Sequence, residues 1–181
     1  VAGLGILLLL MPQGMVGRWL GLIMLLPLLS YEPDRPNQGD FSLSVLDVGQ
    51  GAAYVIQTHQ HTLVVDAGAR LEEFDLGQVV VVPWLQAQGV KQLDRLVITH
   101  ADNDHSGGAG AVLAAYPNSV VQTNASELFP DRSLSSCEAG QIWLWDEVKF
   151  EVLYPKLTDT AKGNNDLSCV LRVSNAQHSV L

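Results

Sequence analysis

Basic residues are scarce in this chain. Ten lysines and arginines stand against 19 acidic residues, for a formal net charge of −9 over 181 residues. There is no Lys/Arg cluster of the kind that grips duplex phosphates by counterion release, which disfavours a freestanding DNA-binding module. Cysteine occurs only as Cys137 and Cys169, so one intramolecular disulfide is the most the chain can form. Repeats and low-complexity tracts are missing, which excludes solenoids and disordered arrays. Histidine is also sparse, at five residues, yet two of the five fall in the single six-residue run 100–105.

Charge is almost absent from residues 1–29, where Arg18 stands alone among Leu, Ile, Val, Met and Gly. Two apolar stretches, Val1 to Met11 and Trp19 to Leu29, flank an interruption from Pro12 to Arg18. Each is shorter than the ~20 residues that span a bilayer. The second reaches that length only from Gly14 to Tyr31, with Tyr31 as an interfacial aromatic. The reading is one or more transmembrane segments over 1–30, with a cleaved signal peptide and a buried helical hairpin as rivals. No basic region precedes the apolar run and no small-residue cleavage site follows it, so the signal peptide fits poorly. If Arg18 marks a cytoplasmic turn, the rest faces the periplasm or cell exterior. Residues 31–39 (YEPDRPNQG) read as a polar linker, and a second domain is expected over 40–181.

That domain reads as α/β. Phe41 to Asp47 alternates with period two, as a half-buried strand does. Ala53 to Thr58 and Thr62 to Asp66 form a hairpin around His59-Gln60-His61. A helix is expected over Val79 to Gln88, closed by Gly89, and another over Ala109 to Tyr116, ended by Pro117. Leu96 to Thr99 is a buried strand, and further strands are expected at Ser119–Gln122, Gln141–Trp145, Val148–Leu153, Ser168–Val173 and His178–Leu181. Trp143 and Trp145 share one strand face, and sheet packing explains them better than nucleotide stacking. His59, His61 and His178 read as exposed polar residues, not ligands.

The most informative run is His100-Ala-Asp102-Asn-Asp104-His105, followed at once by Ser-Gly-Gly. Four metal-binding side chains sit in six residues at the end of a buried strand. Imidazoles and carboxylates hold divalent cations, and a site with an open position is hydrolytic in character. Ligands on a short loop between rigid elements are pre-positioned, and Gly107-Gly108 let the chain turn closely into the next helix. Asp102 and Asp104 are hard oxygen donors and shift preference from zinc toward manganese or magnesium.

This run resembles the His-x-His-x-Asp-His signature of the metallo-β-lactamase fold, with Asp102 standing where the second histidine usually stands. The His-x-Asp-x-Asp-His variant is similar to the hydrolase domain of ComEC-type DNA-internalisation competence proteins. Three further stretches carry the same likeness: Asp47-Val-Gly-Gln50-Gly51, Asp66-Ala-Gly68, and Asn164-Asn165-Asp-Leu-Ser168-Cys169. The resemblance implies an αββα sandwich preceded by membrane helices.

Two divalent ions, manganese or zinc with magnesium as a third choice, are implied as cofactors. His100 and Asp102 would hold one and Asp104 and His105 the other, with Asp102 and Asp104 the catalytic carboxylates. Asp66 reads equally as a turn residue and as an acceptor that orients a ligand histidine. Asp47 and Gln50 line the site or simply form a turn. Asn164, Asn165 and Ser168 contact substrate phosphate or are ordinary loop residues. The likeness favours a Cys137–Cys169 disulfide, closing a loop of about thirty residues, over two buried thiols.

The implied function is a metal-dependent nuclease attached to a membrane DNA-uptake channel in a bacterial inner membrane. It would hydrolyse the strand that is not imported, with single-stranded DNA, the uptake machinery and its own multi-helix channel as partners. A hydrolase of small phosphodiesters or esters, and a non-catalytic extracellular channel domain, are the alternatives. Leu181 falls inside an apolar strand pattern, and the family supplies a bridging Gly-Asp and a later histidine beyond that strand. The expectation is therefore a truncated fold with an incomplete, inactive metal site.

Overall fold

In a computed structural model the chain is described over residues 2–12, 14–15, 17–29, 33–160, 163 and 165–181. It divides into two compact units, Val1–Asp34 and Arg35–Leu181.

The first unit contains α1 (Ala2–Leu9) and α2 (Arg18–Leu29). They approach closely where Gly5 meets Gly21: a Cβ on Gly21 would lie 2.6 Å from the Gly5 carbonyl oxygen. Arg18 donates to the Leu9 carbonyl (3.0 Å), satisfying a helix end. Among the described residues no helix is long and apolar enough to cross a membrane. The stretch expected to run from Gly14 is helical only from Arg18, because Gly14 (φ +100°) and Gly17 (φ +113°) are left-handed and cannot continue a right-handed helix. Tyr31 lies outside the described residues.

The second unit is built on two sheets. The first has the order β1 (Ser42–Val45), β2 (Tyr54–Gln57), β3 (Thr62–Val65), β4 (Arg95–Val97), β5 (Val120–Gln122), β6 (Leu134–Ser135). Its first three strands are antiparallel, and β3 through β6 are parallel. The second is antiparallel throughout, in the order β10 (Ser179–Val180), β9 (Val170–Ser174), β8 (Val148–Tyr154), β7 (Ile142–Trp145).

The central strands of the first sheet are apolar on both faces because both faces are covered. Val55, Val64, Leu96 and Val121 pack against Val81, Leu85, Val112 and Leu113 from the helical layer. Ile56, Leu63 and Val97 point the other way, into a core with Val148, Phe150, Val152 and Val173. By contrast β8 buries only alternate residues and leaves Lys149 and Glu151 toward solvent. The helices on the first sheet are α3 (Val82–Ala87), entered through a π-turn at Gly77–Val81, and α5 (Ala109–Ala115). A four-residue turn of helix, α4 (Asn103–Ser106), precedes α5. Three layers, α, β and β, are thus present. Among the described residues no helix covers the far face of the second sheet, where Ile142 and Leu144 are exposed.

Trp143 and Trp145 pack between the sheets, as their shared strand face predicts. Trp143 stacks on Phe150 (5.3 Å), and the Arg95 guanidinium lies 4.0 Å from the Trp143 ring centre. Burial lowers the Arg95 pKa from its ordinary value. The short strand β6 and the turn α4 went unpredicted, since two and four residues carry no readable period.

Candidate functional site

The loop between β4 and α5 is held on several sides by backbone hydrogen bonds. Ala52 donates to the Asp104 carbonyl (3.1 Å), Ala67 to the His105 carbonyl (2.8 Å), and Cys169 to the Thr99 carbonyl (2.9 Å). Gly68 donates to Ala52 and Gly108 to Gly68, each at 2.9 Å. The stretches around Asp47–Gly51, Asp66–Gly68, His100–Gly108 and Ser168-Cys169 therefore meet in one place. Two glycines make the approach possible. A Cβ on Gly51 (φ +127°) would fall 2.1 Å from the Asp104 oxygen, and one on Gly108 would fall 2.2 Å from the Ala67 oxygen. Gly107 (φ −56°) and Gly108 (φ −79°) have ordinary right-handed helical backbone. They supply room for neighbouring chain, not the sharp turn expected of them.

Asp66 lies at the centre of this junction. It is fully buried, sits at φ +58°, and accepts three hydrogen bonds: from Thr99 N (2.8 Å), Thr99 Oγ1 (2.7 Å) and His105 Nδ1 (2.7 Å). A carboxylate at Nδ1 puts the proton there and leaves Nε2 as the outward, lone-pair-bearing nitrogen. The His105 pKa is raised, first by the hydrogen bond to Asp66 and against partial burial, with help from the charges of Asp66, Asp104 and Asp102.

Around His105, Asp104 Oδ2 stands 3.9 Å from Nε2, and the His100 ring meets the His105 ring edge-on at 4.1 Å between centres. Asp102 takes an extended backbone (φ −62°, ψ 140°) as the cap residue of α4, and its carbonyl accepts from His105 N and Ser106 N. Among the described residues no three His, Cys, Asp or Glu side chains converge on one point as a ligand set does.

The remaining candidates are placed more simply. Asp47 accepts from Gly49 N (3.1 Å) in its own turn, and Asp47 and Gln50 are both exposed. The Asn165 carbonyl accepts from Ser168 Oγ (2.7 Å), and Asn164 lies outside the described residues. Cys137 and Cys169 are disulfide-bonded, with Cα atoms 5.7 Å apart. His59 and His178 are exposed. His61 is half-buried, stacked on Trp145 (4.8 Å) and 3.2 Å from Asp94. It is tied into the sheet seam, so the expectation of a free polar tip does not hold for it.

Two contributors escaped the sequence reading. Thr99 binds Asp66 through both backbone and hydroxyl. Asn103 clamps the Arg70 backbone, accepting from Arg70 N (3.3 Å) and donating to Arg70 O (3.1 Å). The only signal for either was its place beside the ligand run.

The family model described as the metallo-beta-lactamase superfamily matches residues 46–142, which contain all of this junction except the Cys169 strand. The chain belongs to that superfamily. Among curated relatives it is 36% identical over 167 residues to competence protein ComA of Neisseria gonorrhoeae, covering 92% of this chain and 23% of that one. It is 33% identical over 141 residues to recombination protein 2 of Haemophilus influenzae, covering 78% and 18% respectively. The chain thus spans about a fifth of the length of these relatives. The likeness to ComEC-type competence proteins is shown by these matches. Among solved structures, a metallo-beta-lactamase with a HARLDQ motif from Cronobacter sakazakii superposes with a TM-score of 0.57 at 18% identity, over 80% of this chain and 60% of that one. That likeness establishes the α/β fold of the superfamily, whose members usually bind two metal ions.

Proposed function

We propose that the His100–His105 loop is one wall of a two-metal centre that hydrolyses phosphodiester bonds in single-stranded DNA, as part of a membrane-bound DNA-uptake system. The observation that carries this reading is the 2.7 Å bond from His105 Nδ1 to buried Asp66, which turns Nε2 toward Asp104. Carboxylate–imidazole pairs of this kind orient metal-binding histidines and raise their basicity.

The residues fit divalent ions by donor type: two imidazoles and two carboxylates on one short loop, with an orienting carboxylate behind. His100 and Asp102 would hold one ion, and Asp104 and His105 the other. Manganese or zinc suits this mixed set, with magnesium favoured only by the carboxylates. When bound, two such ions lower the pKa of water and stabilise the attacking and leaving oxygens of an in-line displacement.

The chain's own part is to fix the donors. Asp66 sets the His105 tautomer, Thr99 ties Asp66 to the end of β4, and the Asp47–Gly51 turn closes over the Asp104 carbonyl. The competence-protein relatives favour DNA as the substrate and an inner-membrane setting, with residues 1–30 as the membrane-facing part, 31–39 as linker and 40–181 as the hydrolase domain. The strand left outside the cell during import would be the one degraded.

The test is manganese-dependent cleavage by the full-length protein of single-stranded DNA and of a small chromogenic phosphodiester, each against Asp104→Ala and His105→Ala. Cleavage of DNA that both substitutions abolish supports the nuclease. Cleavage of the small diester alone points to a small-molecule hydrolase. Unchanged DNA uptake in cells carrying either variant points to a non-catalytic channel domain.

A further inference from the structure

Beside the candidate centre runs a groove of about 740 Å³, bordered by the loop after β3, the α4–α5 segment and the residues between β5 and β6. Two arginines line it, Arg70 from the loop after β3 and Arg132 from the segment between β5 and β6, in a protein with few cations of any kind. The other arginines of the same unit are committed elsewhere. Arg35 binds Thr62, Arg95 stacks on Trp143 and binds Gln122, and Arg172 pairs with Glu151. The Arg70 side chain is exposed and makes no hydrogen bond or ion pair among the described residues. Arg132 donates one bond, to the Pro117 carbonyl (3.1 Å), which leaves most of its donors for another partner.

The groove is coupled to the ligand loop. Asn103, between Asp102 and Asp104, clamps the Arg70 backbone through both atoms of its amide and also lines the groove. Ser106, Gly107 and Gly110 give it a wall of small residues, and Leu128 and Phe129 give it an apolar one. One acid, Asp131, also borders it.

We infer that this groove carries the sugar–phosphate backbone of single-stranded nucleic acid to or from the His100–His105 loop, with Arg70 and Arg132 each contacting a phosphate. The inference rests on the phosphodiesterase reading and names the path its substrate takes. Guanidinium groups match phosphate oxygens in paired geometry, and two of them on an acidic protein mark where an anion is tolerated. Two cations are too few to hold a duplex against a net charge of −9, whereas unpaired bases can add contact with the apolar wall. Gly110 leaves space for a backbone, since even a Cβ there would meet nothing within 4 Å.

The experiment is fluorescence anisotropy of a labelled 20-mer of thymidylate with the full chain in detergent and EDTA, so that neither cleavage nor bound metal enters the readout. Titrations run from 50 to 200 mM salt. Arg70→Ala with Arg132→Ala is expected to weaken binding at least tenfold and to flatten the log–log salt slope by about 1.4, since each single-strand phosphate contact contributes about 0.7. Arg70→Glu alone, at an exposed side chain, is expected to weaken binding in the same direction. Unchanged affinity and slope in both variants overturn the groove, whatever the enzyme does. Cleavage of the small chromogenic diester by the unsubstituted full-length protein with manganese is measured in parallel. Its absence overturns the phosphodiesterase reading and leaves the binding result to be judged separately.

Discussion

Asp146, in the turn between β7 and β8, accepts a 2.6 Å hydrogen bond from the Thr58 hydroxyl at the end of β2, and so pins the second sheet to the first. The same carboxylate accepts from Gln60 N (2.7 Å), while the Asp146 carbonyl takes a bond from Gly39 N (2.8 Å). Burial alone would push this carboxyl's pKa up. The donations from Thr58 and Gln60, with His61 and His59 nearby, hold it below the ordinary carboxylate value. A depressed folded-state pKa adds stability above the unfolded value, and that stability is lost as pH falls through the folded one. Urea unfolding is therefore expected to show Asp146→Asn as clearly destabilised at pH 6 and much closer to the parent at pH 3. An equal deficit at both pH values would show that the charge plays no part.

Glu147, next in the same turn, sits at φ +70° without the glycine that this backbone prefers. Glu147→Gly is expected to stabilise the domain by about 0.5–1 kcal/mol, because left-handed backbone costs a side-chain-bearing residue about 1–2 kcal/mol and added freedom in the unfolded chain offsets part of the gain. Equilibrium denaturation measures it.

Gly108 and Gly110 are two residues apart but should respond in opposite ways to alanine. At Gly108 the new Cβ meets backbone at 2.2 and 2.5 Å, while at Gly110 it meets nothing within 4 Å. Gly108→Ala is expected to cost about 3 kcal/mol or more, since overpacking against main chain cannot relax by a rotamer change. Gly110→Ala, inside α5, is expected to gain up to about 1 kcal/mol from helix propensity. Paired melting curves decide both.

The disulfide spans 32 residues and holds Cys169 beside Thr99, at the root of the ligand loop. Replacing both cysteines with serine is expected to destabilise the domain by roughly 3–4 kcal/mol in the chain-entropy model. Reduction of the unsubstituted protein should produce a similar shift in the denaturant midpoint.

Asp66→Ala removes the acceptor that orients His105 and leaves Thr99 N without its partner. Its manganese affinity is expected to fall about 10–100-fold by calorimetry, in line with the loss of an outer-shell carboxylate. Equal affinity in the variant would assign Asp66 a purely structural role.

Much of the fold was readable in the linear chain, since strands and helices announce themselves by the period of their apolar residues. The β2–β3 hairpin, the buried β4 and the one-sided β8 all lie where alternation or continuous burial indicates. The helix at 77–87 was blurred by its valines and Pro83, and it opens as a π-turn two residues earlier than its pattern begins. The apolar start suggested spanning length, but left-handed Gly14 and Gly17, which carry no hydropathy signal, leave α2 helical only from Arg18.

The residue types at the site were set by local sequence: imidazoles and carboxylates clustered after a buried strand, because donor chemistry belongs to individual side chains. Only the folded chain decided that Asp66, not Asp47, faces His105, that Asn103 grips Arg70, and that Arg70 and Arg132 border one groove. Those pairings join residues about 30 to 60 positions apart, and no period or propensity encodes a contact made by loops that meet only after both sheets have packed.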